Sequence, residues 1–336
     1  EQIAAALQTA QRPLVIIGGS NWPAQACEDL RTFAAAWDLP VACSFRRQDL
    51  LDNENKQYVG HMSLGMSPAL KTLVQESDLI IAVGTRLGDV PTDGYTLLDL
   101  PTPRQKLIHF HPSPDEIGRV FRPDLAIQGT SEAALRALIQ LKAPESISWS
   151  ETTARAREAF VAFTSRREPK PSLNGVDLTE VMLHLNDALP DDAILTNGAG
   201  NYSVWLHRYY RYRSSRTELA STCGAMGYGL PAAVAAALRF KGQRPVVCVA
   251  GDGCFMMYPQ EIATAVEFDA PLIVLIVNNG MYGTIRMHQE REYPGRVSGT
   301  RIHGSDYVGL ATSLGAYAER VQDAADFPQA FERAQK

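Results

Sequence analysis

The chain has 336 residues, of which 45% are hydrophobic and 21% charged, and its formal net charge is −5 at pH 7. This length predicts two domains of roughly 150 residues each, and the acidic balance without a long basic run argues against a nucleic-acid partner. No apolar stretch approaches the ~20 residues that cross a bilayer, and five cysteines without a C-x-x-C pair indicate a reducing, cytoplasmic location.

Residues 1–142 alternate apolar segments with helical stretches. Strands are predicted at 13–17, 40–43, 79–83 and 106–110, and helices at 24–37 and 131–141. Alternation of this kind is typical of a parallel sheet covered by helices on both faces, so this segment is expected to form one doubly wound α/β domain.

A polar, proline-bearing segment follows at 143–173 and is interpreted as a linker that carries one short helix around 152–164. The second domain is expected over 174–336, where Asp177 would cap a helix at 178–188. It continues with a strand at 193–196, a Gly-Ala-Gly-Asn loop and two further strands. The predicted fold class is therefore α/β, with two doubly wound parallel-sheet domains joined by a linker.

Polar residues follow the last two predicted strands. Gly251-Asp252-Gly253 comes directly after an apolar strand at 245–250, and Asn278-Asn279 comes after another at 271–277. The intervening residues are enough for one crossover helix at 259–268, which would make the two strands parallel neighbours. Both polar ends would then emerge at the edge of the sheet where such folds bind ligands.

These side chains suit a diphosphate that is held through Mg²⁺. The Asp252 carboxylate, the Asn279 side-chain oxygen and the Met281 backbone carbonyl would supply three of its oxygen ligands. Gly253 lets the backbone approach closely, and the N–H groups of Gly253 and Cys254 would face the phosphate charge. Each motif alone is usually a solvated turn, but the two together at one-crossover spacing favour a ligand site.

The pairing of GDG with NN one crossover later resembles the signature of the thiamine diphosphate enzymes. Two segments, TCGAMGYGLPAAVAAA at 222–237 and NNGMYGTIRMHQEREYPGRVSGTR at 278–301, are similar to the acetolactate synthase-like branch of that family. The resemblance implies a middle Rossmann-like domain at 1–142 and a C-terminally truncated diphosphate-binding domain at 174–336. The N-terminal pyrimidine-binding domain of the family is expected to be absent from this chain.

The resemblance also implies particular cofactor contacts. Asp252, Asn279 and Met281 would bind Mg²⁺, and Met226 would be the wedge beneath the thiamine. The backbone of Gly224 and Met226 would bond the aminopyrimidine. The implied contacts around the diphosphate are Asn201, Tyr202, Gly251, Gly253, Cys254, Tyr282 and Gly283.

The activity that this resemblance implies is decarboxylation of a 2-oxo acid, followed by protonation or by addition to a second carbonyl. In the family the activating glutamate belongs to the N-terminal domain of a neighbouring subunit, so a homo-oligomer, dimer or tetramer, is expected and the fragment alone is expected to be inactive. Two alternatives stay open. One is a benzoylformate-type decarboxylase or aldehyde lyase of the same family, and the other is a noncatalytic domain that keeps the fold for assembly.

The resemblance also raises the question of a flavin site in the first domain. Some family members bind FAD in the middle domain, and residues 61–66 and 84–89 look like flavin-contact segments. His111 and Ser113, however, stand where FAD-binding relatives carry aspartates, so the flavin site is expected to be vestigial or empty.

His288 lies where family members place a residue lining the substrate pocket and could shuttle a proton. A solvated helix face explains His288 equally well.

Overall fold

The computed structural model describes residues 1–166 and 175–336, which divide into two compact units. The first unit comprises Glu1–Ser165 and Arg211–Ser215, and the second comprises Arg166–Tyr210 and Arg216–Lys336. Each unit contains a parallel sheet with helices against it, which confirms the predicted α/β fold class. The predicted domain boundaries remain predictions, and part of the proposed linker, with the expected domain start at 174, lies outside the described residues.

The first unit is built on a six-stranded parallel sheet with the order β3-β2-β1-β4-β5-β6. Its strands are β1 (Pro13–Ile17), β2 (Val41–Cys43), β3 (Tyr58–His61), β4 (Leu79–Val83), β5 (Lys106–His111) and β6 (Leu125–Gln128). Its helices are α1 (Gln2–Thr9), α2 (Ala24–Ala36), α3 (Pro68–Glu76), α4 (Ser131–Leu138) and α5 (Ser150–Thr164). The central strands β1 and β4 are buried along their whole length, and their side chains alternate between two hydrophobic cores.

Two strands of this sheet, β3 and β6, have no counterpart among the predicted elements. β3 is short and contains Gly60, and β6 lies at an edge of the sheet and alternates half-buried with exposed residues, so neither has the apolar run that marks the other strands. The short helix expected at 152–164 is α5, which packs within the first unit. The Trp149 indole N–H before it donates to the Trp37 carbonyl at 2.9 Å, and Phe160 packs edge-on against Tyr58.

The second unit contains a four-stranded parallel sheet with the order β10-β9-β7-β8. Its strands are β7 (Ile194–Asn197), β8 (Glu218–Ala220), β9 (Val246–Gly251) and β10 (Ile273–Val277). Its helices are α6 (Leu178–Ala188), α7 (Ser203–Tyr209), α8 (Gly229–Phe240), α9 (Asp252–Phe255), α10 (Glu261–Glu267), α11 (Gly283–Glu292), α12 (Tyr307–Ser313) and α13 (Phe327–Ala334). Asp177 caps α6 as predicted, because its side chain accepts a hydrogen bond from the Thr179 N–H at 2.8 Å.

The register between β9 and β10 decides where the candidate site lies. The two strands are parallel neighbours, with Gly251 opposite Val277, and α10 is the helix that connects them. Asp252 and Asn278, the residues that follow this last pair, therefore leave the sheet at the same edge. This confirms the predicted one-crossover arrangement. None of the helices in the described part of the chain is long and apolar enough to cross a membrane.

Candidate cofactor and metal site

Four loops leave the carboxyl ends of the four strands in the second unit and meet at one edge of the sheet. The first loop, 198–202, follows β7, and the second, 221–228, follows β8. The third is the turn from β9 into α9, and the fourth, 278–282, follows β10. The contacts described below join all four. Open parallel sheets bind ligands at this edge, because polar backbone groups and helix starts gather there.

Asp252 is the central charged group of this edge and is only 3% exposed. Its Oδ1 accepts a hydrogen bond from the Gly253 N–H and its Oδ2 accepts one from the Gly280 N–H, each at 2.8 Å. The carboxylate thus joins the β9 turn to the β10 loop. Among the described residues, no basic side chain lies within ion-pair distance of it. A buried carboxylate of this kind is favourable beside a bound cation, which supplies the missing positive charge.

The β10 loop presents further oxygen atoms next to Asp252. The Asn279 Oδ1 accepts a hydrogen bond from the Met281 N–H at 3.1 Å and retains a second lone pair. The loop is held by an antiparallel bridge between Met281 and Arg301, in which the Gly280 carbonyl accepts from Ile302. In the described chain no backbone N–H donates to the Met281 carbonyl. Asp252, Asn279 and Met281 thus offer oxygens of the kind that Mg²⁺ prefers.

The candidate ligands are not the side chains most common at protein metal sites. Within the two described ranges, His, Cys, Asp and Glu side chains form no group of three or more that could hold a metal. The candidate set contains a single carboxylate, and its other two oxygens come from an amide side chain and the backbone. Such a set suits a hard cation whose remaining ligands are phosphate oxygens and water.

Close packing at Gly253 fixes the distance between the β9 turn and the β10 loop. A Cβ added at Gly253 would lie 2.6 Å from a ring carbon of Tyr282 and 3.0 Å from Ile302. Glycine is therefore required for the two loops to touch. Gly283, the first residue of α11, is similarly close to Asn279, with 3.1 Å between an added Cβ and the amide nitrogen.

The β7 loop joins the site through Asn201 and Tyr202. The Asn201 Oδ1 accepts a hydrogen bond from the Thr284 hydroxyl at 2.9 Å, which connects this loop to the start of α11. Tyr202 is buried, and its ring lies against Gly251, where an added Cβ would come within 2.9 Å of it. Burial, and secondarily the neighbouring Cys254 thiol, raise the pKa of Tyr202 well above its usual range. The phenol therefore stays protonated.

The β8 loop brings the predicted thiamine-binding residues to the same edge. Gly224 has φ 72°, which favours glycine, and an added Cβ would meet nothing within 4 Å. Met226 is half-buried in the turn that precedes α8. The next residue, Gly227, donates its N–H to the Cys254 Sγ at 3.2 Å, so this loop contacts the β9 turn directly.

The structure does not bring His288 into contact with these residues. It lies exposed on α11, and its Nδ1 is 2.8 Å from the guanidinium of Arg291. The neighbouring Met287 does reach the site, with its sulfur 3.8 Å from the Asn201 amide nitrogen.

Sequence reasoning missed the contacts made by Gly198, Gly227 and Gly280. Their positions after strands or before a helix indicate turns, but nothing in the sequence shows which partners those turns contact. The only local signal was that each lies within three residues of a predicted cofactor residue.

Two family models match this chain, one in its N-terminal part and one in its C-terminal part. The model described as "Thiamine pyrophosphate enzyme, central domain" matches residues 1–138, and "Thiamine pyrophosphate enzyme, C-terminal TPP binding domain" matches residues 198–336. A parallel sheet with a buried carboxylate and gathered glycine turns at its carboxyl edge is consistent with the second description. The chain therefore belongs to the thiamine pyrophosphate enzyme family.

Acetolactate synthases are among its most similar relatives. The chain is 31% identical over 331 residues to the acetolactate synthase large subunit of Parasynechococcus marenigrum, covering 96% of this chain and 52% of that protein. It is 30% identical over 323 residues to the acetolactate synthase isozyme 2 large subunit of Escherichia coli, covering 96% of this chain and 57% of that protein. It is 29% identical over 329 residues to the probable large subunit of Methanocaldococcus jannaschii, covering 96% and 55%. The chain spans about half the length of these relatives.

The close approach at Gly253 leads to a stability prediction. Gly253→Ala should lower the free energy of unfolding by about 1–3 kcal/mol, because the added methyl overlaps the Tyr282 ring. Urea unfolding measures the loss. Adding Tyr282→Ala should remove the overlap, so the double variant should be less destabilised than the sum of the single variants. Strict additivity would show that Gly253 does not set this contact.

Proposed function

We propose that this chain supplies the diphosphate- and Mg²⁺-binding part of a thiamine diphosphate site in an acetolactate synthase-like enzyme. The substrate would be a 2-oxo acid, which is decarboxylated and transferred to a second carbonyl or released. The observation that carries the proposal is the buried Asp252 carboxylate, which joins two strand ends and has no basic partner among the described residues.

The residues present fit this cofactor. Asp252, Asn279 and the Met281 carbonyl would bind Mg²⁺, and the metal would in turn hold the diphosphate. The remaining predicted contacts lie on the adjoining loops, namely Asn201, Tyr202, Gly251, Gly253, Cys254, Tyr282 and Gly283. Gly253 and Gly283 carry no Cβ, and Tyr282 and Asn279 lie where those atoms would be. The β9 turn and the β10 loop therefore lie close enough for both to contact one diphosphate.

The chemistry divides between the cofactor and the protein. When bound, thiamine diphosphate supplies the nucleophilic carbon and the electron sink for decarboxylation. The protein holds the diphosphate at one end of the site, while Met226 and the Gly224 backbone would support the rings from the β8 loop. Tyr202 stays neutral and buried, so it excludes water without adding charge beside the diphosphate.

We further propose a cytoplasmic homo-oligomer, dimer or tetramer. The sequence has five cysteines and no C-x-x-C pair, which supports a reducing compartment. The oligomer is supported by the resemblance to the family, and sedimentation of the intact protein would measure it.

For the first unit, we propose that no flavin is bound. Its sheet order places the switch point between β1 and β4, where a dinucleotide would lie between the two following loops. Those loops touch, because a Cβ at Gly19 would lie 2.0 Å from the Gly84 carbonyl oxygen. The buried Trp22 indole covers Gly18 with a 2.8 Å hydrogen bond to its carbonyl. His111 accepts from the Ser113 N–H at 3.1 Å, so this ring nitrogen is already engaged.

The metal-site assignment predicts the effect of removing its ligands. Asp252→Ala in the intact protein should abolish Mg²⁺-dependent binding of thiamine diphosphate, because it removes the single formal negative charge among the proposed ligands. Asn279→Ala should have nearly the same effect. Calorimetry with and without Mg²⁺ measures the affinity, and Asn278→Ala, one residue outside the proposed ligand set, is the control. Wild-type affinity in either ligand variant would contradict the site.

The reaction is tested with a panel of 2-oxo acids that includes pyruvate and benzoylformate. Release of CO₂ from pyruvate with formation of an acyloin acid is the expected result for the intact protein. A preference for benzoylformate would favour the related decarboxylases, and binding of the cofactor without turnover would favour an assembly role.

In the same assay His288→Ala should lower turnover while leaving cofactor affinity unchanged if His288 transfers a proton. Unchanged turnover would show that His288 does not transfer a proton in the reaction.

The flavin proposal predicts a colourless protein. The intact protein, purified without added cofactor, should show no stoichiometric absorbance at about 450 nm, the region typical of flavins. Absorbance should also stay absent after incubation with FAD and gel filtration. A stoichiometric yellow complex in either sample would contradict the proposal.

A further inference from the structure

Three of the four loops at the candidate site meet at one buried sulfur atom. The Cys254 Sγ accepts hydrogen bonds from the Gly227 N–H at 3.2 Å and from the Tyr202 hydroxyl at 3.5 Å. Gly198 lies so close that an added Cβ would fall 2.2 Å from the sulfur and 3.3 Å from the Gly227 nitrogen. These four residues, called here the sulfur junction, belong to the loops that follow β7, β8 and β9.

The Tyr202 hydroxyl forms two hydrogen bonds within the sulfur junction. Its hydroxyl accepts a hydrogen bond from the Gly198 N–H at 3.1 Å while it donates to Cys254. The ring is buried against Gly251. Both hydrogen-bonding roles of the phenol are therefore satisfied by protein groups, and the chain of bonds runs from Gly198 through Tyr202 to Cys254.

Each loop that enters the junction carries a different part of the proposed cofactor site. The β7 loop carries Asn201, the β8 loop carries Gly224 and Met226, and the β9 turn carries Asp252. The sulfur junction therefore links the residues proposed to bind the thiamine rings with the residues proposed to bind the metal and diphosphate.

We propose that Tyr202 and Cys254 are positioning residues of the cofactor site, which act by fixing the β8 loop against the β9 turn through the Cys254 sulfur. This inference rests on the proposed function. The sulfur suits the role because its long C–S bond and large radius let one atom reach two donors on separate loops. An alanine at this position would leave the buried Gly227 N–H without its acceptor, which is unfavourable, and would free the loop that carries Met226.

The test measures thiamine diphosphate affinity by calorimetry at saturating Mg²⁺ in the intact protein, together with thermal unfolding. Cys254→Ala and Tyr202→Phe should each weaken binding by roughly tenfold, as expected for the loss of a buried hydrogen bond. The double variant should be less impaired than the sum of the two single variants, because both changes remove the Tyr202–Cys254 hydrogen bond. Each change also removes one bond of its own, from the Gly227 N–H to Cys254 and from the Gly198 N–H to Tyr202 respectively. Cys254→Ser keeps an acceptor on a shorter side chain and should fall between wild type and Cys254→Ala.

Cys248→Ala is the matched control. Cys248 is also fully buried in the second unit, and burial raises the pKa of its thiol to about 12, so it is a neutral core residue. Its replacement should lower the unfolding temperature and leave cofactor affinity unchanged. If Cys248→Ala and Cys254→Ala weaken binding equally, the effect is general destabilisation and the inference is wrong.

A size exchange separates packing from hydrogen bonding. Gly198→Ala should weaken binding, since its methyl would occupy the place of the sulfur. Combining it with Cys254→Ala should recover thermal stability, because the methyl fills the space, but should leave affinity at the level of Cys254→Ala. Wild-type affinity in the double variant, or in both Cys254→Ala and Tyr202→Phe, would overturn the inference. If the wild-type protein itself fails to bind thiamine diphosphate, the proposed function fails instead.

Discussion

The site in the second unit depends on a buried carboxylate that is held by backbone amides. Asp252 accepts hydrogen bonds from Gly253 and Gly280, which belong to loops after different strands. A negative charge in this position is costly without a counter-charge, and hydrogen bonds from two amides offset only part of that cost. Binding of a divalent cation would offset the remainder. The same burial that makes the charge of Asp252 costly would thus favour binding of Mg²⁺ beside it.

Glycine makes this arrangement possible. The loops approach so closely that any side chain at Gly198, Gly251 or Gly253 would overlap Cys254, Tyr202 or Tyr282 respectively. At these positions the glycine backbone packs directly against a neighbouring side chain, and there is no room for a Cβ. The result is a compact edge on which backbone amides and oxygens lie close together, as binding of a diphosphate through a metal requires.

Glycines also allow two loops of the first unit to touch. The loops after β1 and β4 touch at Gly19 and Gly84, where the sheet order changes direction. A segment that lies far along the sequence, Arg211–Ser215, also belongs to this unit. Its Tyr212 carbonyl accepts from the Asn53 N–H at 2.8 Å, and its N–H donates to the Asn53 side chain at 3.1 Å. The fold of the first unit is therefore completed by residues from the second half of the chain.

The sequence by itself determined the strongly apolar strands and the polar turns that follow them. β1 and β4 were predicted at their observed bounds, and the Asp252 and Asn279 turns were placed at neighbouring parallel strands, because buried runs and crossover length depend on local pattern alone. The tertiary structure decided what that pattern does not encode. The short strands β3 and β6, the packing of α5 and the meeting of Gly198, Tyr202 and Gly227 at Cys254 all arise from contacts between residues distant in sequence, and such contacts leave no periodic signal.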